Sequence, residues 1–430
     1  MPFLRPSLFR EMPAWGRGWL RGDFLALGVE ALLLALGVAF IYCSGAEVGG
    51  DLAGKWLRQL AWIALGVVVY GVMASVDYHF WCRKSPWGYA FAVGLLVLVL
   101  AVGHTLNNTR GWLPVPGVGY LQPVELAKPL TLLLMAWLGT RPALRNSRWG
   151  EWLPVFVLSL VAALPVGLIC LQPDMGTALV FLPATLTAIF LSGLRKRWFF
   201  LGGCLLLLAI PLAFPRLNPY QKDRVKVFLA APARGLSNAC APLLPEKTGR
   251  RLQDRVEEFL AAEEGRGPRD DWNAVQSMLA VGSGGIWGKG FLQGTQHVLG
   301  YLPKTIAPTD FIFSVIAEET GFLGGGTVIL LFAVLLLCFF RTAITARDRL
   351  GCVLATGAGV IFATHIVVNL AMTMGAAPIV GIPLPFVSYG GSFMLGTMML
   401  AGLVQSVQLH GEPTVEERLR LASEGFDEEE

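Results

Sequence analysis

Ten apolar runs, each near the length that crosses a bilayer, constrain this chain more than any other feature. A helix needs about 20 mostly apolar residues to span the hydrocarbon core. The runs are residues 24–43, 59–76, 87–103, 121–138, 152–170, 175–193, 198–214, 310–340, 353–373 and 386–408. Backbone amides and carbonyls have no water to bond in lipid, so each run must satisfy its own hydrogen bonds as a helix. Composition agrees. Hydrophobic residues make up 54% of the chain and charged residues 15%, against roughly 25% charged in soluble domains. Soluble enzyme folds, disulfide scaffolds and disordered tails are excluded for most of the length. The fold class predicted is an all-α integral membrane protein with ten transmembrane helices.

Charge sets the direction. With the N-terminus inside, the inner segments hold 17 Lys and Arg residues and the short outer loops hold three, Lys55, Arg58 and Arg110. The bias of basic residues toward the cytoplasm therefore places both termini there. The first run is too long for a signal-peptide core and reads as a retained span. The predicted organisation is a cytoplasmic segment 1–23, helices 1–7 over 24–214, a large extracytoplasmic loop 215–309, helices 8–10 over 310–408 and an acidic tail 409–430. The loop is polar, and disorder is an open reading for 231–270. A loop of this length usually carries function or links domains. The net charge of +4 is small for 430 residues and predicts no nucleic-acid partner. The seven cysteines include no Cys-x-x-Cys pair and read as apolar packing residues.

Ionisable side chains inside a span need a partner or a water-filled cavity. Glu125 and Lys128, in "YLQPVELAKP", are three apart on one helix face and can neutralise each other or form a polar cavity wall. Arg110 adds a cation just upstream. Asp310, Ser314 and Glu318 recur at i, i+4 and i+8, one stripe of a helix. If that helix is continuous and upright, Asp310 stands roughly 16 Å above the apolar stretch 321–340, at headgroup level or beyond. Thr309 or Asp310 can alternatively serve only as an N-cap. Ser388 and Ser392, in "GIPLPFVSYGGSFMLGTMM", can line a polar cavity. His365 and Asn369 share a face of the ninth run and read as core hydrogen-bonders. The segment "GSGGIWGKGFLQGTQ" is Gly-rich and holds Lys289, but lacks the P-loop order. It reads as a re-entrant or interfacial loop.

The motifs "QPVELAK", "QPDMGTALV", "NPYQKDRVKVFL", "QSMLAVGSGGIWGKGFLQGTQ", "TDFIFSVIAEETGFLGG" and "GIPLPFVSYGGS" occur in the order seen in the SEDS proteins of shape, elongation, division and sporulation. The chain resembles that family from about residue 55 to 408, and its RodA branch more than its FtsW branch. The resemblance implies a peptidoglycan glycosyltransferase that polymerises lipid II on the outer face of the bacterial cytoplasmic membrane. It implies a class B penicillin-binding protein as crosslinking partner, among other elongation-complex membrane proteins. The family's essential aspartate falls on Asp310, and its membrane Glu and Lys fall on Glu125 and Lys128. The chain departs from the family before Asp310, where "LPKTIAPTD" lacks the motif His, and at Phe393, where a second Ser is common.

Glycosyl transfer needs a base near the acceptor hydroxyl and positive charge near the leaving diphosphate. Asp310 is the candidate catalytic residue. Arg110, Lys128 and Lys289 are candidates for the charge, and Glu125, Glu318, Ser388 and Ser392 for further substrate contacts. A divalent cation, Mg²⁺ or Mn²⁺, can serve as Lewis acid. The resemblance implies it, and no closed ligand set is visible in the sequence. The rival reading is a lipid II flippase. Its polar groups belong near the midplane, often with inverted repeats, whereas these lie toward one half and no repeat is evident.

Overall fold

The computed structural model describes residues 22–46, 53–106, 109–115, 119–145, 152–193, 237–238, 246–260 and 268–411. Nine of the ten expected runs form helices among these residues. The tenth, 198–214, lies outside them, as do the N-terminal arginines, Arg195 to Arg197, Cys204, Cys240 and the acidic tail. In chain order the elements are α1 Phe24–Ala46, α2 Lys55–Ser75, α3 Tyr78–Val102, β1 His104–Leu106, β2 Thr109–Val115, β3 Gly119–Leu121, α4 Pro123–Gly139 and α5 Pro142–Arg145. They continue with α6 Trp152–Leu171, α7 Met175–Leu191, α8 Glu246–Leu260, α9 Pro268–Ser283, α10 Thr295–Val298, α11 Ile312–Ile344, α12 Arg349–Thr373 and α13 Gly391–Leu409. Seven of the described helices are long and apolar enough to cross a membrane. The helix α13 is the most enclosed of these and α12 the next. They pack against α2, α4, α7 and α11 around a core that includes Phe332, Phe339, Phe362 and Phe386.

Four differences from the sequence reading have physical causes. The third run begins at Tyr78, not 87, because Asp77 caps α3 by accepting from the His79 amide at 2.9 Å. Arg83, Lys84, Ser85 and Pro86 hide that first part from a hydropathy reading. A three-stranded antiparallel sheet, β1-β2-β3, interrupts the all-helical pattern between α3 and α4. The last helix begins at Gly391. Residues 385–388 form a turn in which Phe386 takes a left-handed φ of 64°, its buried ring stacked on Phe362 at 5.6 Å. Part of the expected loop is folded: α8 forms within 231–270, and α9 packs on α11 and α12.

The helix α11 is not continuous. Gly321 has φ 65° and ψ −162°, a left-handed region that strains any side chain, and it breaks the helix. The freed carbonyls of Glu318 and Glu319 accept the Lys289 and Gly290 amides at 3.1 and 3.0 Å. The Phe322 amide in turn donates to the Gly285 carbonyl at 2.8 Å. The Gly-rich segment thus docks on the break, which solves the hydrogen-bond problem at both places.

Candidate active site

Asp310 lies in a turn ahead of α11, not on its helical stripe. The N-cap of α11 is Phe311, with no side-chain cap bond, so neither Thr309 nor Asp310 caps the helix. Ser314 turns instead to Ser277, with 2.7 Å between the hydroxyls, and Glu318 turns to Lys289. The backbone around Asp310 is stitched to the chain that precedes α13. Asn369 Nδ2 donates to the carbonyls of Asp310 at 2.9 Å and Ile382 at 2.7 Å. Ser388 Oγ donates to Thr309 O at 2.5 Å, and the Tyr389 amide donates to Pro308 O at 2.9 Å.

The Asp310 carboxylate itself takes no hydrogen bond or ion pair among the described residues. Gly381, at φ 68°, leaves its face open: a Cβ there would sit 3.5 Å from Oδ2. Burial, and then the negative charge of Asp174, push the Asp310 carboxyl up to about 7. Asp174 is the N-cap of α7. It accepts from the Thr177 amide at 3.0 Å, the Thr177 hydroxyl at 2.9 Å and Gln122 Nε2 at 3.3 Å.

A second group lies on α4. Lys128 Nζ stands 2.7 Å from Glu125 Oε2, with both side chains buried. It also stands 3.0 Å from His365 Nε2 and 5.4 Å from the centre of the Phe393 ring. A small cavity opens among Glu125, Lys128, His365, Pro385, Phe393 and Thr397. Ser392 accepts the Gln122 amide at 2.9 Å just ahead of α4. The segment 380–389 joins the two groups, since it touches Asn369, His365 and the Thr309 carbonyl beside Asp310.

The remaining expected site residues fall elsewhere. Glu318 is fully buried and accepts Lys289 Nζ at 2.5 Å, the Thr295 amide at 2.8 Å and the Gln296 amide at 3.1 Å. Its neighbour Glu319 accepts the Leu292 amide at 3.1 Å and Cys43 Sγ at 2.7 Å. Lys289 and Glu318 therefore hold the Gly-rich loop on α11. Arg110 folds back on the end of α3, where it donates to Ala101 O at 3.1 Å and Gly103 O at 3.3 Å, satisfying carbonyls that the helix leaves open. Ser388 is buried, and its oxygen also accepts the Leu384 amide at 2.8 Å. Sequence reasoning missed Asp174, and it did not assign His365 a contact with Lys128. The cap spacing of Asp174 and Thr177 was readable in the motif, but the meeting of α12 with α4 was not.

Comparisons with known proteins identify the family. A profile of the FtsW/RodA/SpoVE cell cycle protein family matches residues 24–239 and 245–412. A peptidoglycan glycosyltransferase RodA of Treponema pallidum is 31% identical, over 91% of this chain and 98% of its own. A peptidoglycan glycosyltransferase MrdB of Escherichia coli is 32% identical, over 88% of this chain and 92% of its own. Among solved structures, a chain of a peptidoglycan synthase complex that coordinates polymerization and crosslinking aligns with a TM-score of 0.67. It is 28% identical and covers 91% of this chain and 98% of that chain. The rod shape determining protein RodA of Thermus thermophilus aligns with a TM-score of 0.61 at 25% identity, covering 92% of this chain and 99% of that one. With that profile matched over most of its length and these relatives covered nearly end to end, the chain belongs to the FtsW/RodA/SpoVE family of cell cycle proteins.

Proposed function

We propose that this protein is a peptidoglycan glycosyltransferase of cell elongation, which polymerises lipid II at the outer face of the cytoplasmic membrane. The observation that carries the reading is Asp310. Asn369 holds its carbonyl and Ser388 that of Thr309, its carboxylate is unpaired among the described residues, and burial raises it to about 7. A general base works best with a pKa near the operating pH. The acceptor sugar hydroxyl attacks the anomeric carbon of the donor, the bond to the diphosphate breaks, and the hydroxyl proton passes to Asp310 as the new bond forms. Lys128, on the cavity wall, supplies positive charge toward the diphosphate; Arg110 is the exposed cation on the same end of the bundle. Glu125 holds Lys128 in place. Ser388, Ser392, Lys289 and Glu318 position the backbone around the site.

Among the described residues no three His, Cys, Asp or Glu side chains converge as a metal site. Ten spans with both termini cytoplasmic complete the reading, supported by the basic-residue bias. A class B penicillin-binding protein is the crosslinking partner we infer, on the strength of the synthase complex among the structural relatives.

Purified protein with labelled lipid II in detergent tests the assignment. Glycan polymer should form without a second compartment. Binding of lipid II without polymer would leave transport as the surviving function.

A further inference from the structure

His365 has no part in the chemistry above, yet it is buried between two functional segments. Its Nδ1 lies 3.1 Å from the Pro383 carbonyl and its Nε2 lies 3.0 Å from Lys128 Nζ. A carbonyl oxygen only accepts, so Nδ1 carries the proton. A second proton on Nε2 would set an imidazolium against the Lys128 ammonium. Nε2 therefore offers its lone pair to lysine, and Pro383 fixes the tautomer that does so. The Phe393 ring packs on both partners, 5.1 Å from the His365 ring and 5.4 Å from Lys128 Nζ. Glu125, His365 and Phe393 together surround the ammonium on three sides, and the small cavity opens beside them. The four residues come from α4, α12 and α13.

We propose that His365 is a positioning residue for Lys128, holding the ammonium at the cavity through Nε2 while Pro383 fixes the ring. The inference rests on the reading of Lys128 as a wall of the substrate cavity. Three named groups face Lys128, and among them His365 hydrogen-bonds segment 380–389, which borders Asp310 through Gly381. The lysine and the aspartate are thus placed relative to one another through His365 and Asn369, one turn apart on α12. Phe393, at the start of α13, packs its ring against both the lysine and the histidine.

Two substitutions separate the two ring nitrogens. His365→Gln can place an amide oxygen near the Nε2 position and keep an acceptor for Lys128. His365→Asn can keep a donor near the Nδ1 position for Pro383 and leaves Lys128 without its acceptor. Polymerisation kcat and KM are measured for both, and for Lys128→Met with and without His365→Asn. The expected result is a loss of kcat in His365→Asn of about tenfold to a hundredfold, the range of a lost hydrogen bond to a charged group. His365→Gln should stay within about threefold of the wild type, and His365→Asn should add nothing in the Lys128→Met background. Equal losses in the two single variants, a larger loss in His365→Gln, or a further loss in the Lys128→Met background would each overturn the proposal. Wild-type activity in Lys128→Met would instead defeat the cavity reading of lysine. If the His365 variants do not fold, ¹⁵N-histidine spectra of the wild type and Lys128→Met decide. One of the five histidines should show a shifted unprotonated Nε2 in Lys128→Met, and an unchanged spectrum overturns the proposal.

Discussion

Two aspartates, at opposite ends of the bundle, treat the same physics differently. Asp77, between α2 and α3, is partly buried, which raises its carboxyl. The His79 amide, ring and charge outweigh that and hold it below the usual range. His79 reaches on to Asp348 at 2.8 Å, and Tyr78 donates to Asp348 at 2.9 Å. Asp348 also caps α12 through the Gly351 amide at 2.8 Å. Both of these carboxylates are spent on holding helices and their ends. At the other end, among the described residues, Asp310 faces burial and a second carboxylate, so it is pushed up to about 7. A carboxylate that has its partners acts as a staple. One whose backbone is held while its oxygens are left free is available for proton transfer.

The sharpest way to break this contrast is Asp310→Asn. Asn keeps the size and the backbone bonds from Asn369 and Ser388 but takes no proton. Polymerisation should fall by about 10²–10⁴-fold, the usual cost of a lost general base. A variant within twofold of wild type would return Asp310 to a purely structural role. The same assignment fixes a pH dependence. The base works deprotonated, so kcat/KM should fall as pH drops through about 7, following the Asp310 carboxyl. Stability should move the opposite way. The folded carboxyl binds its proton more tightly than an ordinary aspartate, at 3.8, does in the unfolded chain. Folding is therefore helped below about 4 and progressively loses that help as pH rises to about 7. Asp310→Asn should then melt above the wild type at pH 8 and match it more closely at pH 4. Equal melting points at pH 8 would contradict the burial of an unpaired charge.

The Glu125–Lys128 pair sits between these extremes, since its charges are paired and yet border a cavity. Glu125→Ala or Lys128→Ala leaves one buried charge without its partner, a loss of about 3–5 kcal/mol for a buried pair. The reversed pair, Glu125→Lys with Lys128→Glu, should recover part of that stability in denaturation. It should not recover polymerisation, because a carboxylate at 128 meets the lone pair of His365 in place of an ammonium. Restored polymer in the reversed pair would reduce Lys128 to a structural ion.

What the sequence made legible follows from range. The apolar runs and the Glu125–Lys128 pair depend on neighbours along one helix, so period and spacing revealed them. The break at Gly321 was hidden because a glycine in "ETGFLGGG" reads as helix until the Gly-rich segment arrives to bond its carbonyls. Glu318 looked like a cavity residue because an intramembrane acid calls for a partner, and the partner, Lys289, lies 29 positions away. Asp310 was singled out through its motif, while its lack of a side-chain partner among the described residues required the fold. The Asn369 and Ser388 bonds that fix it cross 59 and 79 positions. The contact of His365 with Lys128 crosses 237, beyond any local pattern.

The smallest effect belongs to the stapled end. Asp348→Asn keeps the N-cap of α12, because Asn caps about as well as Asp. It also keeps an acceptor for Tyr78. It removes the charge that faces His79, a pair whose side chains are about one-third exposed, at 33% and 36%. Such exposed pairs contribute roughly 0.2–1 kcal/mol when both partners carry charge. The melting temperature should therefore drop slightly, and less at high salt, where screening has already weakened the pair. Polymerisation by Asp348→Asn should remain within about twofold of wild type, well short of the loss of a catalytic base. A loss approaching that of Asp310→Asn would mean that the far end communicates with the site, and the division between stapling and reacting carboxylates would fail. Asp348→Ala sharpens the test, since it also removes the cap, at about 1 kcal/mol. A greater fall in stability with polymerisation again preserved would show that this end sets how firmly the helices are joined and leaves the chemistry to Asp310.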